Sequence, residues 1–265
     1  MKALRITDKL AISALLLIVS AAWICAAPYV ILSNGQRRDG VDIRVMSNGD
    51  VMLTLADGNQ FTFTADQVER AVADKPPYFD QAVAALRAGR ADIAVQGFEK
   101  VVDEYKGLDW DVRAMPLLAQ AYIAKEDYAK AERAFENLFK ANPRVKDNSE
   151  LVISYAKVLL KAGKTAKLEQ QLKEMIASGD QQAAGFAQLM RGNIEMENQN
   201  YKEAAKDFLR TVHFFRNQAE LMPEATFNLA ESLDKLRDKR AKEWYATVVK
   251  NFPGTEYASK AQAKL

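Results

Sequence analysis

The chain of 265 residues has little of what catalytic and metal sites require. It contains one cysteine and one histidine, which argues against a disulfide framework, cysteine-based zinc sites and histidine clusters. It also has no excess of one charge, since 37 basic and 35 acidic side chains leave a net charge of +2. Because such a balance does not cover a nucleic-acid backbone, we expect no nucleic-acid partner. With 49% hydrophobic residues, the composition is that of an ordinary globular protein.

The amino-terminal segment combines basic residues with a long uncharged run, residues 10–32. This order is typical of a secretory signal peptide, here residues 1–27, and predicts export to the periplasm or cell envelope. An uncleaved membrane anchor formed by residues 10–27 and a lipid attached to Cys25 are the alternatives. Without residues 1–27, which carry three basic groups and one acidic group, 34 basic and 34 acidic side chains remain. We therefore expect membrane contact only through this segment, if it is retained.

Residues 28–75 are predicted to form a small β module. Four short segments show the alternation of apolar and polar residues that is typical of strands, and Asn-Gly or Asp-Gly dipeptides separate them. A short helix is expected from Asp66, with Thr64 as its N-cap. The four predicted strands are Tyr29 to Ser33, Val41 to Met46, Asp50 to Leu55 and Gln60 to Thr64.

The turns of this module follow the spacing of a known family. The matching residues are Tyr29-Val30-Ile31, Asn34-Gly35, Asp57-Gly58-Asn59 and Asp66-Gln67-Val68. On them, the segment resembles the small SH3-like β-barrels of bacterial envelope lipoproteins. The resemblance implies a stable adaptor without chemistry of its own, and Cys25 is the one counterpart of the family's lipid-carrying cysteine.

Residues 76–265 are predicted to be helical, and one pair of residues recurs in them. An alanine followed four residues later by an aromatic residue returns at intervals of 37, 37, 36 and 37 residues, with one copy built from leucines. Because positions i and i+4 share a helix face, the alanine admits a neighbouring helix closely and the ring fills the enclosed space. The copies are Ala94/Phe98, Ala131/Phe135, Leu168/Leu172, Ala204/Phe208 and Ala241/Tyr245.

Together with Leu118, Tyr122 and Pro143 around the second copy, these pairs resemble the tetratricopeptide repeat (TPR). The resemblance implies five helix-turn-helix units and a capping helix from Thr255 to Leu265. The predicted fold class is therefore α+β, with a small SH3-like β-barrel followed by an all-α TPR-like solenoid. The ending Trp244 to Ala258 is similar to the repeats of two envelope families, the repeat lipoprotein of the outer-membrane β-barrel assembly machine and the periplasmic coordinator of the Tol–Pal system.

The helical region carries no pattern that predicts a catalytic, cofactor or metal site. His213 has no cysteine or second histidine to act with, which favours a helix-packing or rim position. Gly163-Lys164-Thr165 matches the end of a phosphate-binding loop, but Val158 stands where that motif requires glycine. Glu195 and Glu197 are two residues apart and so point to different faces of a helix.

The resemblance implies a binding surface on the first helix of each unit, which lines the concave face where repeats of this kind bind peptides. Aligning the first helices on the repeated pair places six residues toward that face. The alternative is that they are solvated or lie between repeats. The six residues are Gln120, Ile123, Lys157, Leu160, Asn193 and Met196.

The sequence therefore predicts a non-enzymatic, exported scaffold of the bacterial cell envelope. Its partner would be a protein, bound as an extended peptide or an assembly subunit, and no cofactor is expected. The alternatives are an accessory or regulatory subunit of an envelope enzyme complex, a divergent hydrolase, and a structural spacer. A hydrolase requires acidic residues that converge in one pocket, whereas a spacer would have a uniformly charged, featureless face.

Overall fold

A computed structural model describes residues 27–265, so the predicted signal segment lies outside the described residues except for Ala27. Contacts within the chain divide it into two compact units, of which the first ends at Pro143 and the second is Arg144–Leu265. Among the described residues, the first unit contains a β module and four helices. The second unit contains seven helices.

The β module consists of two antiparallel three-stranded sheets, with strand orders β2-β1-β6 and β3-β4-β5. Their shared core is formed by Val30, Ile43, Val51 and Leu53, all of them buried. The four predicted strands are confirmed as β1, β3, β4 and β5. The strand bounds are β1 Tyr29–Leu32, β2 Arg37–Asp39, β3 Asp42–Val45, β4 Val51–Thr54, β5 Gln60–Phe63 and β6 Val68–Val72.

One glycine allows the chain to pass from the first sheet to the second. Between β2 and β3, the Gly40 amide donates to the Pro28 carbonyl at 2.8 Å, and the Val41 amide donates to the Thr54 carbonyl at 2.7 Å. A Cβ atom at Gly40 would lie 2.6 Å from both Leu53 Cδ1 and the Thr54 carbonyl oxygen. Only glycine fits this bend, because any side chain would collide with β4.

The module contains two strands, β2 and β6, that the sequence did not predict. The predicted helix is a three-residue 3-10 helix, Ala65–Gln67, in which Gln67 Oε1 accepts from the Thr64 amide at 3.1 Å. Strand β6 follows this helix directly. Strand β2, Arg37–Asp39, is absent from the four predicted strands. Among the described residues, no strand pairing joins the two sheets into a closed barrel. The prediction of a closed β-barrel is therefore wrong.

The helical region consists of pairs of consecutive antiparallel helices, as the repeated residues predict. The first unit holds two pairs, and the second holds three pairs and a final helix. The helices are α1 Phe79–Arg87, α2 Ala91–Glu104, α3 Trp110–Ala124, α4 Tyr128–Ala141, α5 Ser149–Lys161, α6 Thr165–Ala177, α7 Gln181–Glu197, α8 Tyr201–Phe214, α9 Met222–Lys235, α10 Ala241–Asn251 and α11 Glu256–Gln262.

The repeated residue pair lies in the second helix of every pair and is buried there. Phe98, Phe135 and Phe208 have no exposed surface at all. In α7, a Cβ atom at Gly192 would lie 2.5 Å from the Phe208 ring, so glycine is needed for the helices to approach this closely. The packing role predicted for the repeated pair is therefore confirmed.

The turn inside each helix pair has the same geometry in all five copies. One residue adopts a positive φ between 56° and 71°. The amide of the next residue donates to a carbonyl five residues earlier at 2.8–2.9 Å, as in a Schellman motif. Gly163 of the phosphate-loop-like segment is one of these turn residues. The set is Gly89, Glu126, Gly163, Gln199 and Arg237.

Tyr245 occupies the aromatic position of the last pair but brings a hydroxyl group into its core. The side chain is 1% exposed, and its hydroxyl has no hydrogen-bond partner within residues 27–265. Burial, assisted by the nearby carboxylates of Asp234 and Glu231, raises the pKa of Tyr245 to about 12. The ordinary pKa of tyrosine is about 10.

We expect Tyr245→Phe to raise the free energy of unfolding by about 1 kcal/mol at neutral pH, because it removes a buried hydroxyl without a partner. A folded-state pKa above the unfolded one favours folding below about pH 10, and this contribution is lost as pH rises toward 12. The phenylalanine variant should lose less stability in that range. Urea titrations of both proteins at neutral and alkaline pH measure the difference, and the control Phe208→Tyr should be destabilised.

Candidate functional site

The six predicted residues occupy equivalent places on consecutive first helices. Each first helix has a small buried residue, which is Ala119 in α3, Ala156 in α5 and Gly192 in α7. The predicted residues lie one and four positions after it. We call these positions and their counterparts in α1 and α9 the first-helix stripe, a set of equivalent positions with members in each unit. It comprises Val83, Leu86, Gln120, Ile123, Lys157, Leu160, Asn193, Met196, Glu231 and Asp234.

Accessibility differs along the stripe. Gln120 and Ile123 in the first unit are half-buried. In the second unit Lys157, Leu160 and Met196 are also half-buried, whereas Asn193 is only 7% exposed. Five of the six predicted residues therefore offer surface to a partner.

An open pocket of about 610 Å³ lies beside the stripe in the first unit. Its floor is apolar, because Phe79, Val83 and Trp110 are all buried there. Small side chains on α1 leave the space open. The lining residues are Lys75, Phe79, Asp80, Val83, Ala84, Arg87, Ala88 and Trp110.

The rim of this pocket carries charge of both signs. Lys75 Nζ and Asp80 Oδ2 form an ion pair at 2.5 Å, which neutralises both groups. The exposed Arg87 guanidinium has no hydrogen-bond partner among the described residues. The pocket is therefore suited to an apolar group that carries a carboxylate beside it.

Trp110 links this pocket to the β module. Its indole Nε1–H donates to the Ala73 carbonyl at 2.9 Å, and its ring packs edge-to-face on Phe79 at 5.0 Å. The preceding residue, Asp109, has a φ of 70° and binds Arg70 of β6 at 2.8 Å and Arg113 of α3 at 2.5 Å. Sequence reasoning missed this cluster. The one available signal was an acidic residue followed by tryptophan, Asp109 and Trp110, at the start of a helix.

Lys157 in the second unit is a cation held against an aromatic ring. Its Nζ lies 5.3 Å from the centre of the Phe186 ring of α7. Burial lowers the pKa of Lys157, because the ammonium is partly removed from water. No carboxylate among the described residues pairs with it. Lys157 can therefore attract an anionic group from a partner.

Asn193 is engaged by its own neighbours. Its Nδ2 donates to Glu224 Oε1 at 2.9 Å, and its Oδ1 accepts from Asn228 Nδ2 at 2.9 Å. The Tyr257 hydroxyl of α11 also bonds to Glu224, and burial together with this carboxylate raises the pKa of Tyr257. Met196, the next member of the stripe in α7, accepts a hydrogen bond at Sδ from the Ser232 hydroxyl at 3.0 Å. This network joins α7, α9 and α11.

The described residues hold no group of three or more His, Cys, Asp and Glu side chains that is suited to a metal ion. Within the same range, no helix is both long enough and apolar enough to span a bilayer. The half-buried side chains on the first helices offer apolar contact, hydrogen bonds and charge.

Comparison with known proteins agrees with this geometry. A family model described as tetratricopeptide repeat matches residues 117–183, which extend from within α3 to the start of α7. The helical region is a TPR-like solenoid. Searching the curated proteins gives no match.

Solved structures of other proteins share the fold. MamA of strain AMB-1 is 17% identical with a TM-score of 0.51, and covers 69% of this chain and 94% of its own. MamA from Desulfovibrio magneticus RS-1 is 16% identical with a TM-score of 0.54, and the coverage is 68% and 95%. YrrB, a TPR protein with an unusual peptide-binding site, is 20% identical with a TM-score of 0.50, and the coverage is 71% and 91%. At these identities the likeness extends to the fold.

We expect Asn193→Asp to destabilise the protein by about 2–4 kcal/mol, because it replaces a donor to Glu224 with a second carboxylate in a largely buried place. Acid should restore part of this loss, since protonation removes the repulsion between the two carboxylates. Urea titrations at neutral and acidic pH measure both effects. The control Asn198→Asp, at the exposed C-cap of the same helix, should cost less than about 1 kcal/mol, because only the helix dipole opposes its charge.

Proposed function

We propose that the protein is a non-enzymatic scaffold that binds a protein partner along the first-helix stripe. The observation that carries the proposal is the accessible part of the stripe in each unit, together with the apolar pocket beside it. An extended peptide is the ligand that matches these features, since in each unit a half-buried apolar residue lies three positions after a polar group, the Gln120 amide or the Lys157 ammonium. YrrB, with its peptide-binding site, is a precedent on the same fold.

The alternative functions have less support. A hydrolase needs converging acidic residues, whereas the pocket on α1 contains one, Asp80, and Lys75 neutralises it. A structural spacer would have a featureless stripe. The stripe instead changes from apolar residues and an amide in the first unit to Lys157, Asn193 and the carboxylates of α9 in the second. An accessory subunit of an enzyme complex is compatible with the same binding surface.

We propose further that the β module is an open SH3-like adaptor. Three features support this: the chain bends at Gly40 from one three-stranded sheet into the other, both sheets are antiparallel, and a 3-10 helix precedes the last strand. The domain limits 28–75 and 76–265 belong to this proposal. Trp110 and Asp109 attach the module to the first helices and thereby orient it.

The proposed site is tested with the double variant Gln120→Glu/Ile123→Glu in the full chain. Each change adds a negative charge to the half-buried stripe of α3, so we expect recovery of protein partners from envelope extracts to fall at least about tenfold. The matched control Asn137→Glu/Ala141→Glu adds the same charge to the exposed side of α4 and should retain wild-type recovery. Equal recovery by the two variants, or no enriched partner with the wild type, would contradict the proposed site.

We also propose that the protein works in the periplasm or cell envelope, with residues 1–27 as its export signal or anchor. Supporting this, the chain's one cysteine lies in that segment, which suits an oxidising compartment, and the remainder carries no net charge. The intact mass of protein from fractionated native cells provides the test. We expect an envelope protein that begins at about residue 28, or a longer form in the membrane fraction. A full-length cytoplasmic protein would overturn export.

A further inference from the structure

The outer side of α8 exposes apolar side chains that the fold leaves unpacked. Phe214 is 74% exposed, the largest fraction among the exposed large apolar residues of the described chain. Leu209, in the same helix, is 39% exposed. Both are on the second helix of their pair and belong to neither the first-helix stripe nor the pocket on α1.

The other repeats show that packing does not require these residues. Phe214 lies six positions after the buried Phe208, and the same place in the other second helices holds Glu104, Ala141, Ser178 and Asn251. The place of Leu209, one position after the ring, holds Glu99, Glu136, Lys173 and Ala246. Ile93 of α2 is exposed at another position, but at these two positions large exposed apolar residues occur only in α8 among the described second helices. Since every second helix packs its buried pair in the same way, Phe214 and Leu209 point to a partner.

The same side of α8 carries surplus positive charge. Its exposed charged residues are three cations and one anion, namely Lys202, Lys206, Arg210 and Glu203, and Lys206 Nζ pairs with Glu203 Oε1 at 2.7 Å. The buried Asp207 does not correct the surplus, because its Oδ1 already accepts from two guanidinium groups, Arg210 at 2.8 Å and Arg191 at 3.0 Å. One carboxylate thus faces two cations.

Helical spacing determines how apolar and basic groups are arranged. At 3.6 residues per turn, Lys206, Arg210 and His213 lie along the middle of the exposed side, and Leu209 and Phe214 lie at its two borders. A helix that binds flat on a bilayer has the opposite order, with apolar residues in the middle and basic residues at the borders. The surface instead matches a partner with carboxylates along its centre and apolar groups on both sides.

We propose that this α8 surface, defined by Lys206, Leu209, Arg210, His213 and Phe214, docks an acidic amphipathic segment of another protein. The carboxylates of that segment pair with Lys206 and Arg210, and its apolar side chains cover Phe214 and Leu209. The surface is separate from the first-helix stripe. The protein therefore holds two partners, or two parts of one partner, at the same time.

The test places the photo-cross-linking residue p-benzoylphenylalanine at position 214 of the full chain in its native cells. Because this residue is aromatic, it replaces Phe214 with little change in shape. Position 251 in α10 is the matched control, as Asn251 occupies the equivalent place and is exposed. We expect protein adducts from position 214 at least about tenfold above those from position 251, with a cross-linked segment of net negative charge.

Charge reversal at the middle of the surface completes the test. Adding Lys206→Glu and Arg210→Glu to the cross-linking variant should lower the adduct yield at least about tenfold, whereas Lys242→Glu and Lys250→Glu in α10 should not. Four results would each overturn the proposal: lipid adducts, adducts to a second copy of this chain, a captured segment without net negative charge, or a yield that charge reversal leaves unchanged. Yields equal at positions 214 and 251 would do the same. The Gln120/Ile123 variant should still cross-link, which separates this surface from the first-helix stripe.

Discussion

The helical part of the molecule depends on one packing constraint, a buried side chain on each second helix that is a ring in four pairs and Leu172 in α6. Gly192 and Phe208 show how tight it is, because even a methyl group on the glycine would enter the ring. The constraint fixes the distance between the two helices and hence the length of the turn that joins them. The shared turn geometry, with its left-handed residue and Schellman hydrogen bond, follows from it.

Since the packing positions are constrained in every copy, differences between copies accumulate elsewhere. The first-helix stripe varies from valine to glutamine, lysine, asparagine and glutamate at equivalent places. Some of this variation serves the molecule itself, as the engagement of Asn193 by Glu224 and Asn228 shows. Lys157, by contrast, has an ammonium group that no carboxylate of the described chain pairs with, and it is therefore available to a ligand.

Sequence reasoning succeeded where a residue's role depends on local periodicity and failed where it depends on distant partners. Helical spacing predicted the repeated pairs, and the Asn-Gly and Asp-Gly dipeptides predicted the hairpins. Strand β2, Arg37–Asp39, has no buried residue and thus no alternation to detect. The partners of Asn193 are 31 and 35 residues away, so its burial could not be derived from its own helix. Asp109 likewise gains its role from Arg70, 39 residues earlier.

The attachment of the β module has a mechanical consequence. The chain between β6 and α1 is a short segment with two prolines, Pro76 and Pro77, but it does not connect the two parts alone. The indole of Trp110 and the Arg70–Asp109–Arg113 cluster bridge them in parallel with it. A pulling force on the β module is thus carried into the first helices by side chains as well as by the backbone. The β module is therefore attached to the first helices by side-chain contacts and is not joined to them by the linker alone.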